Sequence, residues 1–211
     1  MMSDHVTDKI ASAIRQSPVP VVLAGSMIND SSIPTVNIDY FQAAIDAIQL
    51  FINKGHKEIA FVSGPLEYTI NGEHKLGAYK QALQQANIEI NEQLIDATDG
   101  TYDEALLSWE SFVQKAHVPT AIFAGSDEIA LGIIHAIQDA GKRVPEDVEV
   151  ISFENSKLAR MIRPQLTSVA LPLYDIGAVS MRLLTKLLNK EEVTDKNVIL
   201  PYRIETRKST K

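Results

Sequence analysis

Apolar positions along the chain alternate between two periods. Phe41, Ala44, Ile45, Ile48, Phe51 and Ile52 recur at intervals of three and four, which gathers them on one face of a helix. Lys54-Gly55 ends that helix, because glycine takes the left-handed position after a helix without a Cβ clash. Ile59-Ala60-Phe61-Val62 follows as a continuous apolar run, the pattern of a strand buried on both faces. The succession repeats as a helix through Tyr79 and Leu83, a strand near Leu94-Ile95 and a helix around Trp109. It continues with a strand over 121–124, a helix over 126–140 and a strand over 148–153. Upstream, Val6, Ile10 and Ile14 predict a short helix that Pro18-Val19-Pro20 stops. An apolar run over 21–24, a polar loop over 25–34 and a strand over 35–38 come next. Downstream lie an extended stretch at 168–170, a helix from about 173 to 189, and two extended pieces over 198–201 and 203–207. Alternation of this kind predicts βαβ units around mostly parallel sheet.

Composition narrows the picture by exclusion. The 211 residues are 45% hydrophobic, enough for a substantial core, and carry a net charge of -7. An acidic surface repels phosphate backbones, so these residues are not expected to grip nucleic acid by themselves. The absence of cysteine excludes disulfides, thiolate zinc sites and a cysteine nucleophile. The opening MMSDHVTDKI has no secretory pattern, and no apolar run reaches the roughly 18 residues of a membrane span. A cytoplasmic protein with no membrane partner is the expectation.

Catalytic chemistry finds little to work with. The ten glycines never form G-x-G-x-x-G or a phosphate loop, and no serine sits in G-x-S-x-G. His5, His56, His74, His117 and His135 form no H-x-x-x-H pair that would place two ligands on one helix face. The pairs Asp103-Glu104 and Asp127-Glu128 stand where helices begin, and there carboxylates accept unpaired backbone N–H groups. No enzyme, metal or cofactor is expected.

The helix from residue 173 has two faces. Ile176, Val179, Leu183, Leu184, Leu187 and Leu188 form an apolar stripe expected to lie on sheet. Asp175, Arg182, Lys186 and Asn189 fall within about 60° of one another on the other side, with Tyr174 and Met181 along one edge. On spacing alone this row is either a solvated face or a cationic docking patch.

One long stretch is more specific. From Arg143 the chain reads RVPEDVEVISFENSKLARMIRPQLTSVALPLYDIGAVSMRLLTKLLN, and it closes on LPYRIETRKST. With NIDYFQAA, GHKEIAFVSG and PTAIFAGSDEIALGIIHAI, it resembles the lactose-repressor family of bacterial transcription regulators, especially those serving carbon catabolite control. The resemblance implies the fold of periplasmic binding proteins: two Rossmann-like lobes with parallel sheets, joined by three crossovers. Residues 1–38 and 171–200 would belong to the N-terminal lobe and its crossovers, and 39–170 and 201–211 to the C-terminal lobe. The N-terminal lobe would be incomplete and the DNA-binding head absent, so operator DNA would be met only through that head.

The same resemblance implies site residues. Asn37, Asp39, Tyr40, His74, Lys75, Ser126, Asp127 and Glu154 would line the effector site. Fructose 1,6-bisphosphate or glucose 6-phosphate are the implied effectors. Many family members carry arginine where Lys75 stands and aspartate where Glu154 stands; lysine loses arginine's bidentate fork. Tyr174, Asp175, Met181, Arg182 and Lys186 would dock the phosphocarrier HPr when it is phosphorylated on serine, with Arg182 on the phosphate. Ile129, Ile133, Ile134, Met161 and Ile162 would form a homodimer interface. Plainer roles stand beside these: Asp127 as a helix cap, Lys75 as a solvated residue, the isoleucines as core. Two other classes remain open, a purely sugar-sensing repressor and a solute-binding protein serving a transporter.

Overall fold

A computed structural model describes residues 6–28 and 30–211. The elements run α1 (Asp8–Arg15), β1 (Leu23–Ala24), β2 (Thr35–Asn37), α2 (Tyr40–Asn53), β3 (Ile59–Ser63), a π-helix (Ile70–Leu76) and α3 (Gly77–Gln85). A 3-10 turn (Glu92–Leu94) then leads into β4 (Ile95–Ala97), α4 (Tyr102–Gln114), β5 (Ala121–Ala124), α5 (Asp127–Asp139) and β6 (Glu149–Glu154). The chain finishes with α6 (Lys157–Met161), β7 (Thr167–Ala170), α7 (Leu173–Leu188), β8 (Asn197–Ile199) and β9 (Arg203–Glu205). Contacts divide these into two units: Met1–Asp39 with Tyr68–Ile70 and Pro172–Tyr202, and Tyr40–Glu67 with Asn71–Leu171 and Arg203–Lys211.

The smaller unit is built on a parallel three-stranded sheet in the order β1-β2-β8. Val36 pairs with both Ala24 and Val198, so β2 is the central strand. Ile176 and Leu183 of α7 pack on Val22, Ala24 and Val36, with Val179, Leu184 and Leu187 half-buried around them. The expected stripe on α7 is narrower than its sequence suggested, because Leu188 in the last turn is 58% exposed. α1 is capped by Thr7, whose hydroxyl accepts from the Ile10 N–H at 3.3 Å. Val6 precedes the cap, so the helix is shorter than the spacing of Val6, Ile10 and Ile14 implies.

The larger unit carries a six-stranded sheet in the order β4-β3-β5-β6-β7-β9. All pairs are parallel except β7 with β9. Helices cover the central strands on both faces, which is why β3 and β5 are fully buried and apolar except for Ser63 at the end of β3. α4 and α5 cross closely because Gly132 leaves space: a Cβ there would stand 2.6 Å from the Tyr102 carbonyl oxygen. That tight crossing sets the fate of the residues expected at a dimer interface. Ile129, Ile133 and Ile134 are 0–1% exposed and Ile162 is 7% exposed. All four belong to the core with Ala105, Trp109 and Phe112, so they are unavailable to a second subunit. Met161, at 71% exposure, is the exception.

The last residues act as a clasp. Ser209 Oγ donates to the Val150 carbonyl at 2.6 Å and accepts from the Thr167 N–H at 2.8 Å, joining β6 to β7. Thr210 and Thr167 hydroxyls meet at 2.8 Å beside it. Ser209→Ala would leave the buried Thr167 N–H without its acceptor. It is expected to lower the free energy of unfolding by about 1–3 kcal/mol in urea denaturation.

Candidate functional site

The chain leaves β3 for β4 on one side and then places β5 on the other, so the helices after β3 and β5 depart in opposite directions from neighbouring strands. A crevice at the carboxyl ends of such strands is where open α/β sheets bind ligands. The backbone is unusually close there. A Cβ on Gly125 would lie 2.4 Å from Ser63 Oγ, so only glycine fits after β5. Ser63 Oγ itself is buried and has no partner among the described residues.

The π-helix brings a cation to this point. Lys75, only 5% exposed, donates to the Gly125 carbonyl at 2.8 Å and to Asn71 Oδ1 at 3.3 Å. Its ammonium stands 4.6 Å from the centre of the Phe153 ring. The π-helix is held by the loop before it: the Leu66 carbonyl oxygen lies 1.8 Å from where a Cβ on Gly72 would be. Tyr40 stacks on Phe153 at 6.1 Å, and Phe123 meets Phe153 edge-on at 6.3 Å, forming an aromatic floor.

Asp127 is not a ligand-facing residue. It is fully buried, and its Oδ1 accepts from Ser152 Oγ at 2.5 Å and from Ser168 Oγ at 3.1 Å. Its Oδ2 accepts from the Ser156 N–H at 2.5 Å. The effector role expected of it is therefore corrected: every bond described for the carboxylate ties β6, β7 and the start of α6 to the head of α5. Nor is it the helix cap. That duty falls to Ser126, whose hydroxyl accepts from the Ile129 N–H at 3.2 Å.

Glu154, the last residue of β6, and Asn155 after it have φ of 108° and 58°, a left-handed pair that non-glycine residues rarely adopt. The pair is held from outside. Asn155 N–H donates to Ser168 Oγ at 3.0 Å, and Arg207 donates to Asn155 Oδ1 and to the Leu166 carbonyl, both at 2.6 Å. The larger unit thus brings Tyr40, Lys75, Ser126 and Glu154 to the carboxyl ends of its strands. His74 lies on the π-helix with its Nδ1 buried and unpartnered among the described residues. Asn37 and Asp39 belong to the smaller unit, where Asn37 Nδ2 donates to the Ser26 carbonyl at 3.0 Å and Asp39 is exposed. Sequence reasoning missed Asn71, Phe153, Asn155 and Arg207. The two asparagines and the arginine carry no periodicity signal, and Phe153 looked like ordinary strand.

The second feature is the outer face of α7. Tyr174 is 86% exposed, Met181 62% and Leu188 58%. Seven residues advance a helix by nearly two turns, so these three run along one line. Asp175, Arg182 and Lys186 are all exposed on one flank of it. Three large apolar side chains thus stand in solvent along one line of a helix whose opposite face is buried. Among the described residues, no cluster of side chains has the makings of a metal site, and no helix is long and apolar enough to cross a membrane.

A mostly parallel α/β unit with a crevice at its strand-order switch is an architecture that binds small ligands beyond its strand ends. Residues 48–210 match the family described as periplasmic binding protein-like domain. The chain belongs to that family, within the lactose-repressor line of transcription regulators. It is 52% identical over 210 residues to Catabolite control protein A of Priestia megaterium, covering 100% of this chain and 63% of that protein. It is 46% identical over 206 residues to the Staphylococcus xylosus protein of the same name, covering 98% and 62%. The chain therefore spans somewhat less than two thirds of these relatives. The crystal structure of transcription regulator CcpA of Lactococcus lactis superposes with a TM-score of 0.92 at 39% identity, covering 100% of this chain and 76% of that one. A complex of the regulator CelR with cellobiose superposes at 0.90 with 29% identity, covering 99% and 64%. These relatives are transcription regulators and not enzymes.

The two neighbouring residues Ser126 and Asp127 should separate sharply on substitution. Ser126→Ala is expected to cost about 1 kcal/mol, the scale of a lost helix cap. Asp127→Ala is expected to cost about 3 kcal/mol or more, because it strands buried donors from three segments. Urea unfolding of the two variants measures the difference.

Proposed function

We propose that this chain is the signal-receiving part of a dimeric, cytoplasmic regulator of carbon catabolite genes, and that α7 docks serine-phosphorylated HPr. The observation that carries the reading is the exposed line of Tyr174, Met181 and Leu188 with Arg182 and Lys186 beside it. Apolar residues with two cations one turn apart suit a phosphorylated protein surface. Arginine can hold phosphate through two parallel N–H bonds, and lysine adds a point charge. Asp175 would meet a basic residue of the partner. The similarity to catabolite control proteins in two genera supports the same reading. Operator DNA would be gripped by a basic head of the kind this family carries, since the residues here have a net charge of -7. For the dimer, exposed Met161 and Leu158 of α6 replace the buried isoleucines as the contacts to test.

Sugar phosphates such as glucose 6-phosphate or fructose 1,6-bisphosphate are the proposed small-molecule signals, entering at the switch point of the larger unit. Lys75 is a cation at that crevice, but its ammonium is already bonded to Gly125 and Asn71. A phosphate must compete with those bonds, which makes its affinity modest and its role secondary to the protein partner.

Calorimetric titration with phosphorylated and unphosphorylated HPr tests the docking. Binding of the phosphorylated form alone is expected, weakened by about 1.5–3 kcal/mol in Arg182→Ala, the scale of a charged hydrogen bond. Equal binding of both forms, or none by folded protein, would overturn it. Either sugar phosphate should raise the melting temperature of the wild-type chain and not that of Lys75→Met. An equal rise in both would place the phosphate elsewhere.

A further inference from the structure

The chain contains five methionines and no cysteine, so thioethers are its only oxidisable sulfur. Of those described, Met27 is half-buried and Met161 is exposed on α6 of the larger unit. Met181 is 62% exposed and stands in the middle of the apolar line on α7, one heptad from Tyr174 and one from Leu188. The buried face of α7 is supplied by Ile176, Ser180 and Leu183, so the Met181 side chain contributes nothing to the core. Its exposed thioether is free to react without the helix unfolding, and free to change the surface when it does.

We propose that Met181 is an oxidation site that switches the α7 docking face off. The proposal rests on the docking reading above. A hydroperoxide supplies the oxidant. Its O–O bond breaks as the distal oxygen bonds to the Met181 sulfur, sulfide becomes sulfoxide, and the peroxide is reduced to water or an alcohol. The product is a strongly polar S=O at the centre of a surface that otherwise offers a partner an apolar side chain. Docking would then bury an acceptor with no donor facing it, which opposes association by roughly tenfold or more. The adjacent Arg182 and Lys186 keep their charge throughout, so the switch acts on the apolar component of the face and leaves the phosphate contact in place. Methionine sulfoxide reductases reverse the modification, so the docking face can be restored.

The test uses the whole chain, treated with hydrogen peroxide, cleared of it with catalase, and titrated with serine-phosphorylated HPr. Peptide mass spectrometry should show one added oxygen at Met181 before Met27. Affinity should fall about tenfold as that oxygen appears and return after treatment with both reductase types. Whatever affinity Met181→Leu has for phospho-HPr, peroxide treatment should leave that affinity unchanged. Met161→Leu should remain as sensitive as the wild type. Undiminished binding by protein with verified Met181 sulfoxide would overturn the switch while leaving the docking reading intact. So would loss of binding in peroxide-treated Met181→Leu equal to that of the wild type. Failure of the reduced wild-type chain to bind phospho-HPr at all would overturn the docking reading, and the switch with it.

Discussion

A carboxylate sealed inside protein must be answered by hydrogen-bond donors, and in the larger unit three segments of chain supply them to Asp127. The consequences spread outward from that requirement. Ser152 within β6 and Ser156 at the cap of α6 are both held on the same carboxylate, so the chain between them must bend back toward it within four residues. Glu154 and Asn155 are the residues that absorb the turn, and their left-handed backbone is what the short path demands. Ser168 on β7 closes the arrangement by donating to Asp127 and accepting from Asn155. The carboxyl ends of β5, β6 and β7, where a ligand would be met, are thereby set as one rigid block.

The switch point beside that block is governed by close packing. Gly125 is required because Ser63 occupies the space of a side chain, and Gly72 because the Leu66 carbonyl does. Together they let a π-helix deliver Lys75 across the ends of two strands. A π-helix sacrifices regular hydrogen bonding, and such irregularities concentrate at functional sites. Here its return is a buried cation facing an aromatic floor.

α7 obeys the opposite logic. One face is committed to the small sheet through Ile176 and Leu183, while the other leaves Tyr174, Met181 and Leu188 in solvent. Hydrophobic exposure of that extent has a cost in solubility that a docking partner would relieve. Arg182 and Lys186 add two exposed cations beside that line on a chain of net charge -7.

The alternation of periods was enough to place nearly every helix and strand, because burial on one helix face or in a two-sided strand leaves a direct mark on residue order. The end of the helix at Gly55 was equally legible, since the backbone angle there, φ 86°, is one that glycine takes freely. The quoted motifs carried the family and the outer face of α7. What order along the chain does not record is which apolar face meets which neighbour. Ile129, Ile133 and Ile134 suited an interface as well as a core until the crossing at Gly132 buried them, and Leu188 suited the core until the sheet ended short of it. Asp127 suited a ligand site until Ser152, Ser156 and Ser168 arrived from 25 or more residues away. Local order determined the elements because each residue's helix or strand preference is set by near neighbours. Only the tertiary structure decided the roles of these side chains, because hydrogen-bond partners and solvent exposure are properties of segments distant in sequence.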